Sequence, residues 1–199
     1  MKRAFDIALA GVGLLLSSPL WLLFGLAIKL EDGGPVFYSQ ERVGFGGSTF
    51  EALKFRSMRT DAESGVGAVQ AVEADPRVTR IGRFMRKTAM DELPQLWNIF
   101  RGDMSFVGPR ALRPGEVEAS GSELVLIDRI PGYAARTAVR PGLTGLAQIY
   151  APRDVPRRQK FRYDRLYVRR QSLSLDLRLI LLSFWISFLG TWESRGRKY

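Results

Sequence analysis

From Ile7 to Ile28 the chain carries no charged side chain. As a helix that stretch is about 33 Å long, against roughly 30 Å of membrane hydrocarbon. Met1-Lys2-Arg3 gives it a basic start, as in a secretory leader. A cleaved leader fits less well, because no small-x-small site follows the first apolar run and hydrophobicity resumes at Leu20-Trp21-Leu22-Leu23-Phe24. Ser17-Ser18-Pro19 sits near the middle. Proline inside a helix costs about 3 kcal/mol and disfavours helical geometry at the residue before it. In lipid the freed carbonyls need donors, and Ser17 or Ser18 can supply a hydroxyl. Two geometries follow. One is a kinked spanning helix. The other is a re-entrant helix–break–helix, each half about 15 Å long, with Lys2, Arg3, Lys29 and the basic remainder on one side. The positive-inside rule makes the side of the body cytoplasmic in either case.

The remainder is constrained by what it lacks. Among 199 residues there is no cysteine and no histidine. Disulfides, thiolate chemistry, Cys-ligated metals and the usual near-neutral acid–base group are therefore excluded. Chemistry must rest on carboxylates, Lys, Arg, Tyr, hydroxyls or a hard cation. The net charge is +10, with Arg far outnumbering Lys. Arg grips phosphate with two hydrogen bonds, so the charge implies an anionic partner: nucleic acid, anionic lipid or a phosphorylated substrate.

Along the body, Glu31-Asp32-Gly33-Gly34-Pro35 ends the apolar segment. Val36–Gln40 and Phe50–Phe55 read as short strands around the turn Gly44-Phe45-Gly46-Gly47-Ser48, a hairpin. Residues 60–75 read as a mobile loop. Arg77, Arg80, Arg83, Arg86 and Lys87 recur at helical spacing, either as a solvated face or as a phosphate- or lipid-facing stripe. Residues 114–128 read as a loop and a short helix. Phe161 to Arg170 alternates charge with aromatics, the pattern of an interfacial helix. Leu175 to Leu189 is mostly apolar, with Asp176 and Arg178 near its start, but short for a span, and Trp185 and Trp192 suit headgroup level; a buried core helix is the alternative.

The sharpest local feature is Thr88-Ala89-Met90-Asp91-Glu92-Leu93-Pro94. Pro94 suits a first helical turn and Asp91 or Glu92 its cap, so a plain helix start explains the pattern. Adjacent carboxylates near many Arg could equally bind a hard cation and meet a phosphate, and a carboxylate can attack phosphorus to give an acyl phosphate. Lys54-Phe55-Arg56 puts two cations at the end of the second strand, and Gly102 to Arg110 is a glycine-flanked loop whose N–H groups could approach an anion.

Together these segments resemble the bacterial monotopic phosphoglycosyl transferases. The matching stretches, in family order, are Phe5-Asp6 leading to Ser18-Pro19, Gly34 to Gly44, Lys54 to Met58, Asp75 to Gly82, Asp91 to Asn98, Gly102 to Arg110, Arg140 to Gly145, and Tyr163-Asp164. One departure is Ala111, where the family often has proline. The resemblance implies an α+β, mainly helical fold with a small β-hairpin and amphipathic interfacial helices. Residues 1–30 would form a re-entrant membrane helix broken at Ser18-Pro19, and residues 31–199 one catalytic unit on the cytoplasmic face of the inner membrane. Larger relatives carry extra N-terminal membrane helices, so this chain looks like the minimal catalytic unit.

The resemblance also implies the chemistry. Asp91 would be the nucleophile, with Asp91 and Glu92 holding Mg²⁺, and Lys54, Arg56, Arg86 and Arg110 would contact phosphate. The donor would be a UDP-sugar and the acceptor polyprenyl phosphate, with UMP released. Membrane lipid is then the other partner and nucleic acid is not; a homodimer is allowed. Two other classes compete: a non-catalytic basic protein of membrane surfaces or nucleic acid, and a Mg²⁺-dependent membrane phosphatase using the same carboxylates.

Overall fold

The N-terminal apolar segment forms one helix, α1 (Lys2–Asp32), with Pro19 inside it. The structure, a computed structural model, describes residues 1–62, 75–120, 123–152 and 155–192; most of the loop expected over residues 60–75 lies outside these. The helix runs on through Pro19 because its neighbours repair the damage. Pro19 has no N–H for the Leu15 carbonyl four residues back, and Ser18 Oγ donates to that carbonyl at 2.8 Å. Ser17 Oγ lies 3.5 Å from the Leu14 carbonyl and accepts from Trp21 Nε1 at 3.0 Å. The helix stops at Gly33, whose φ of 72° lets its N–H close on the Lys29 carbonyl. By length and composition α1 is able to cross a membrane.

The hairpin follows as expected, though its first strand is longer. β1 (Phe37–Val43) pairs antiparallel with β2 (Thr49–Phe55), Phe37 opposite Phe55 and Val43 opposite Thr49. Next come α2 (Arg80–Thr88), a 3₁₀ turn (Met90–Glu92) and α3 (Gln95–Arg101). β3 (Ser105–Val107) precedes a second hairpin, β4 (Val117–Ser120) with β5 (Glu123–Leu126), where the sequence pointed to a loop and helix. A short α4 (Tyr133–Thr137) leads to β6 (Gly142–Thr144), which runs parallel to β3. α5 (Leu146–Tyr150), α6 (Arg157–Arg170) and α7 (Leu173–Leu189) complete the described chain. The fold is mostly helical with small two-stranded sheets.

The β3–β6 pair explains two of the glycine-rich stretches. A Cβ on Gly142 would stand 2.0 Å from the Gly108 nitrogen, and one on Gly108 would stand 2.4 Å from the Arg140 carbonyl oxygen. No side chain fits between these backbones, so the loop ending in Arg110 can be held here only by glycine on both sides.

α1 is part of the core. Ala10 packs with Leu96, Ile99, Phe106, Tyr167 and Leu179, while Phe24 and Ile28 pack with Phe55 and Met85. Between those contacts Leu15, Leu16, Leu22, Leu23 and Leu26 are exposed, as are Leu181, Phe184 and Phe188 of α7. α6 departs from the interfacial reading. Phe161 and Tyr167 are each 1% exposed, so the face that carries them is a core face. α7 buries one face and exposes the other: Leu179, Ile180 and Ile186 are buried, as a core helix requires, while Trp185 is exposed.

Candidate active site

The site is assembled from the hairpin, α2 and the turn that follows α2. Thr79 caps α2 by accepting from Gly82 N at 2.9 Å. The Glu31 carboxylate, at the end of α1, accepts from Arg80 N at 2.6 Å and Ile81 N at 3.2 Å. This ties α2 to α1 and places negative charge at a helix N-terminus, where the dipole favours it. At its other end α2 stops at Ala89, which has φ 56° and is the one non-glycine with positive φ among the described residues. A left-handed alanine costs roughly 1–2 kcal/mol. The strain is spent on the bend that carries Met90-Asp91-Glu92 back over β2.

Glu92 is firmly held. Its Oε1 accepts from Lys54 Nζ, on β2, and from Arg110 Nη2 at 2.8 Å. Burial pushes its carboxyl up, but the Arg110 and Lys54 charges and their hydrogen bonds outweigh that and hold it well below the usual range. Asp91 is the opposite case. It is 9% exposed, and among the described residues its carboxylate makes no hydrogen bond or ion pair. Burial raises its pKa to about 6, Glu92 adds to the rise, and Lys54, Arg86 and Arg110 partly offset it. Neither carboxylate caps α3, whose N-cap is Pro94 without a side-chain bond. The capping explanation of Asp91-Glu92 is thereby removed.

Asp91, Glu92, Lys54, Arg56, Arg86 and Arg110 all line one cavity of about 1520 Å³. Ser17 and Leu20, on either side of Ser18-Pro19, line it as well. Of the cations, Arg56 has a structural partner. It is 6% exposed and paired with Asp32 at the end of α1, while its Nε and Nη1 have no hydrogen-bond partner. Five arginines of the cavity lining escaped sequence reasoning: Arg42, Arg59, Arg113, Arg136 and Arg157. Arg42 Nη1 donates to the Ala111 carbonyl at 3.2 Å, and Val43 N donates to the Leu112 carbonyl at 2.8 Å. β1 thus fixes the loop at Ala111, the position where proline is often found. Burial, then the charges of Arg110 and Arg113, lower the Arg42 pKa to about 10. Its signal was present in Gln40-Glu41-Arg42-Val43-Gly44; Arg136 offered none.

This arrangement presents an available buried carboxylate, beside a second that is clamped, within a ring of cations and next to an apolar helix. It suits attack on a phosphorus atom in an anionic substrate. A family model described as bacterial sugar transferase matches residues 1–190. An undecaprenyl-phosphate glucose phosphotransferase of Komagataeibacter xylinus is 44% identical over 189 residues, covering 92% of this chain but 35% of the relative. The chain thus spans about a third of the length of that relative. A UDP-glucose:undecaprenyl-phosphate glucose-1-phosphate transferase of Caulobacter vibrioides is 44% identical over 185 residues, covering 90% of this chain and 67% of the relative. The exopolysaccharide production protein ExoY of Rhizobium meliloti is 42% identical over 193 residues, covering 90% and 81%. With a match that runs from the first residue through α7, the chain belongs to the bacterial sugar transferase family.

Proposed function

We propose that the chain transfers a sugar 1-phosphate from a UDP-sugar to undecaprenyl phosphate, through a covalent intermediate on Asp91. The observation that carries this is the Asp91 carboxylate, buried, unpartnered among the described residues and turned to a cavity lined by Lys54, Arg86 and Arg110. The names of the Caulobacter and Komagataeibacter relatives support the acceptor, and the former makes UDP-glucose the first donor to test.

In the first half-reaction an Asp91 Oδ attacks the phosphorus that bears the sugar. The P–O bond to UMP breaks, UMP leaves with the electron pair, and an aspartyl phosphosugar remains. In the second, an oxygen of undecaprenyl phosphate attacks the same phosphorus and the Asp91–phosphorus bond breaks. Both nucleophiles are anions at neutral pH, so neither step needs a general base, consistent with a chain that has no histidine. Lys54 and Arg110 screen the incoming diphosphate from Glu92, and Arg86 acts on Asp91. Holding the reactants in line supplies much of the remaining rate.

Asp91 and Glu92 also fit a magnesium ion. Mg²⁺ takes one or two carboxylates with waters and substrate phosphates. Both Glu92 ion pairs fall on Oε1, leaving Oε2 to join Asp91. The described residues place no third acidic group beside them, so an all-protein cage does not fit. A bound Mg²⁺ would neutralise charge developing on the diphosphate.

We infer further that α1 enters and leaves the membrane on one face, with the body on the cytoplasmic side. Both of its ends are bound to the same body, which supports this reading. At the start, Lys2 pairs with Asp176 at 2.6 Å and Arg3 donates to the Ile99 and Phe100 carbonyls at 2.5 and 2.8 Å. At the end, Glu31 holds α2 and Asp32 pairs with Arg56. The exposed leucines lie between them.

The test is UMP release by detergent-purified protein from a panel of UDP-sugars with Mg²⁺ and undecaprenyl phosphate. Release by the native chain and none by Asp91→Asn is expected, together with a phosphosugar adduct on Asp91 by mass spectrometry. Free phosphate without any need for the lipid acceptor would favour a phosphatase instead. For topology, single cysteines introduced before Lys2 and after Tyr199 into this cysteine-free chain should both react from the cytoplasmic side. Labelling from opposite sides would overturn the re-entrant reading alone.

A further inference from the structure

Arg136 and Asp164 form a buried ion pair that the chemistry above leaves unused. Arg136 is 5% exposed and Asp164 is 3% exposed, with Arg136 Nε donating to Asp164 Oδ2 at 3.0 Å. The guanidinium carbon lies 4.8 Å from the centre of the Phe161 ring. One donor points elsewhere: Arg136 Nη2 reaches the backbone carbonyl of Arg110. Arg110 in turn donates from its own Nη2 to Glu92 at 2.8 Å. A continuous chain of contacts therefore runs from Asp164 on α6, through Arg136 on α4, to the backbone of Arg110 and on to Glu92. The other groups facing Arg136 are Arg157 and Tyr133.

A buried ion pair is seldom justified by stability, because desolvation offsets most of the attraction. This one does something an apolar pair of the same size could not. It fixes the Asp164-bound fork so that a second donor meets one particular carbonyl. The loop it reaches has no regular secondary structure between β3 and β4; the ties nearest Arg110 are the Gly142 N–H to the Pro109 carbonyl and β1 at Ala111 and Leu112, with further bonds at its ends through Gly108 and Glu116. Arg110 itself lies between those ties.

We propose that the Arg136–Asp164 pair is the positioning device for Arg110, setting the guanidinium that clamps Glu92 beside the nucleophile. This rests on the transferase reading only for its rate effects. The pair acts through Arg110 and does not touch the donor. It also gives a role to Tyr163-Asp164, a stretch marked by resemblance alone.

The test compares Arg110→Ala, the paired replacement Arg136→Met with Asp164→Leu, and all three changes together. Replacing both members avoids a lone buried charge, which would unfold the protein. The paired replacement is expected to lower kcat for UMP release about 100-fold through misplacement of Arg110, with an unchanged melting temperature. In the Arg110→Ala background it should cost nothing further. Hydrogen exchange by mass spectrometry should rise in peptides covering residues 109–113 and stay unchanged in β2. Losses that multiply in the triple variant would mean an independent role, direct donor contact included, and would overturn the proposal. So would unchanged exchange at 109–113. If the native chain releases no UMP from any donor, the transferase reading fails while the exchange result still decides this one.

Discussion

Where α1 begins, Asp176 is 1% exposed and accepts from Lys2 Nζ at 2.6 Å, with Tyr167 Oη at 2.8 Å. Nearby Asp6 is 2% exposed and accepts from Phe106 N at 3.2 Å. In the cavity Asp91 is also buried, yet no described residue partners it. The first region follows the rule that buried charges are paired. The second breaks it at one carboxylate, with a clamped neighbour beside it. Pairing Asp176 spends its charge on joining α1 to α6 and α7. Leaving Asp91 unpaired keeps its charge for something that enters the cavity, and burial makes that charge costly until it arrives.

The largest effect should come from removing the unpaired group. Asp91→Asn is expected to reduce UMP release by roughly 10⁴-fold or more, as loss of a nucleophile does. Its thermal midpoint should hold or rise, because a desolvated charge has gone. A fall in midpoint that tracked the lost activity would mean Asp91 is structural after all.

Removing the paired group should invert that pattern. Asp176→Ala leaves Lys2 without its acceptor, while Tyr167 Oη keeps the Val107 carbonyl at 2.9 Å, and should cost about 1–3 kcal/mol, read from denaturant unfolding in detergent. Activity per folded molecule should stay near native. A variant with native stability would show that the Lys2 contact contributes little in solution.

The contrast also marks how far the sequence could be read. Asp91, Glu92, Lys54, Arg86 and Arg110 were legible because each sits in a short stretch with its own chemical pattern, and the fold brings them to one cavity. The first hairpin was legible from its turn glycines. Asp6 and Asp176 were not, because their partners lie 100 and 174 residues away and no local pattern connects them. Arg136 hides for the same reason, 28 residues from Asp164. α6 misled because alternating charges and aromatics look the same whether the rings meet lipid or, as Phe161 and Tyr167 do, the core. β4 and β5 are four residues each, too short for alternation to outweigh a loop.

A milder way to probe the comparison is pH. Asp91 has its pKa raised to about 6 from 3.8 by burial, so only above that value is the free enzyme's nucleophile mostly ionised. UMP release at low donor concentration should rise with an acid limb near pH 6. Stability carries the matching sign. The folded state holds this proton more tightly than the unfolded one, so the contribution of Asp91 is full below 3.8 and is lost as pH rises through 6. Measured without divalent cation, the native chain should lose stability relative to Asp91→Asn across that window. A flat difference would mean the carboxylate is better solvated than its burial indicates.

The smallest effect extends the same rule to the membrane. Pro19 leaves the Leu15 carbonyl without its helical N–H, and Ser18 Oγ fills the gap at 2.8 Å on the exposed side of α1. In water, Ser18→Ala should cost almost nothing, since a solvent molecule replaces the hydroxyl. In hydrocarbon no such molecule is at hand, and the unpaired carbonyl should cost about 1 kcal/mol. Ser17→Ala is the control, because its oxygen is 3.5 Å from the Leu14 carbonyl and chiefly accepts from Trp21. A loss at Ser18 in liposomes that exceeds the loss at Ser17 would put the proline level of α1 among lipid tails. Equal, negligible losses would put that turn in water, and α1 would then lie along the surface with its leucines only partly immersed.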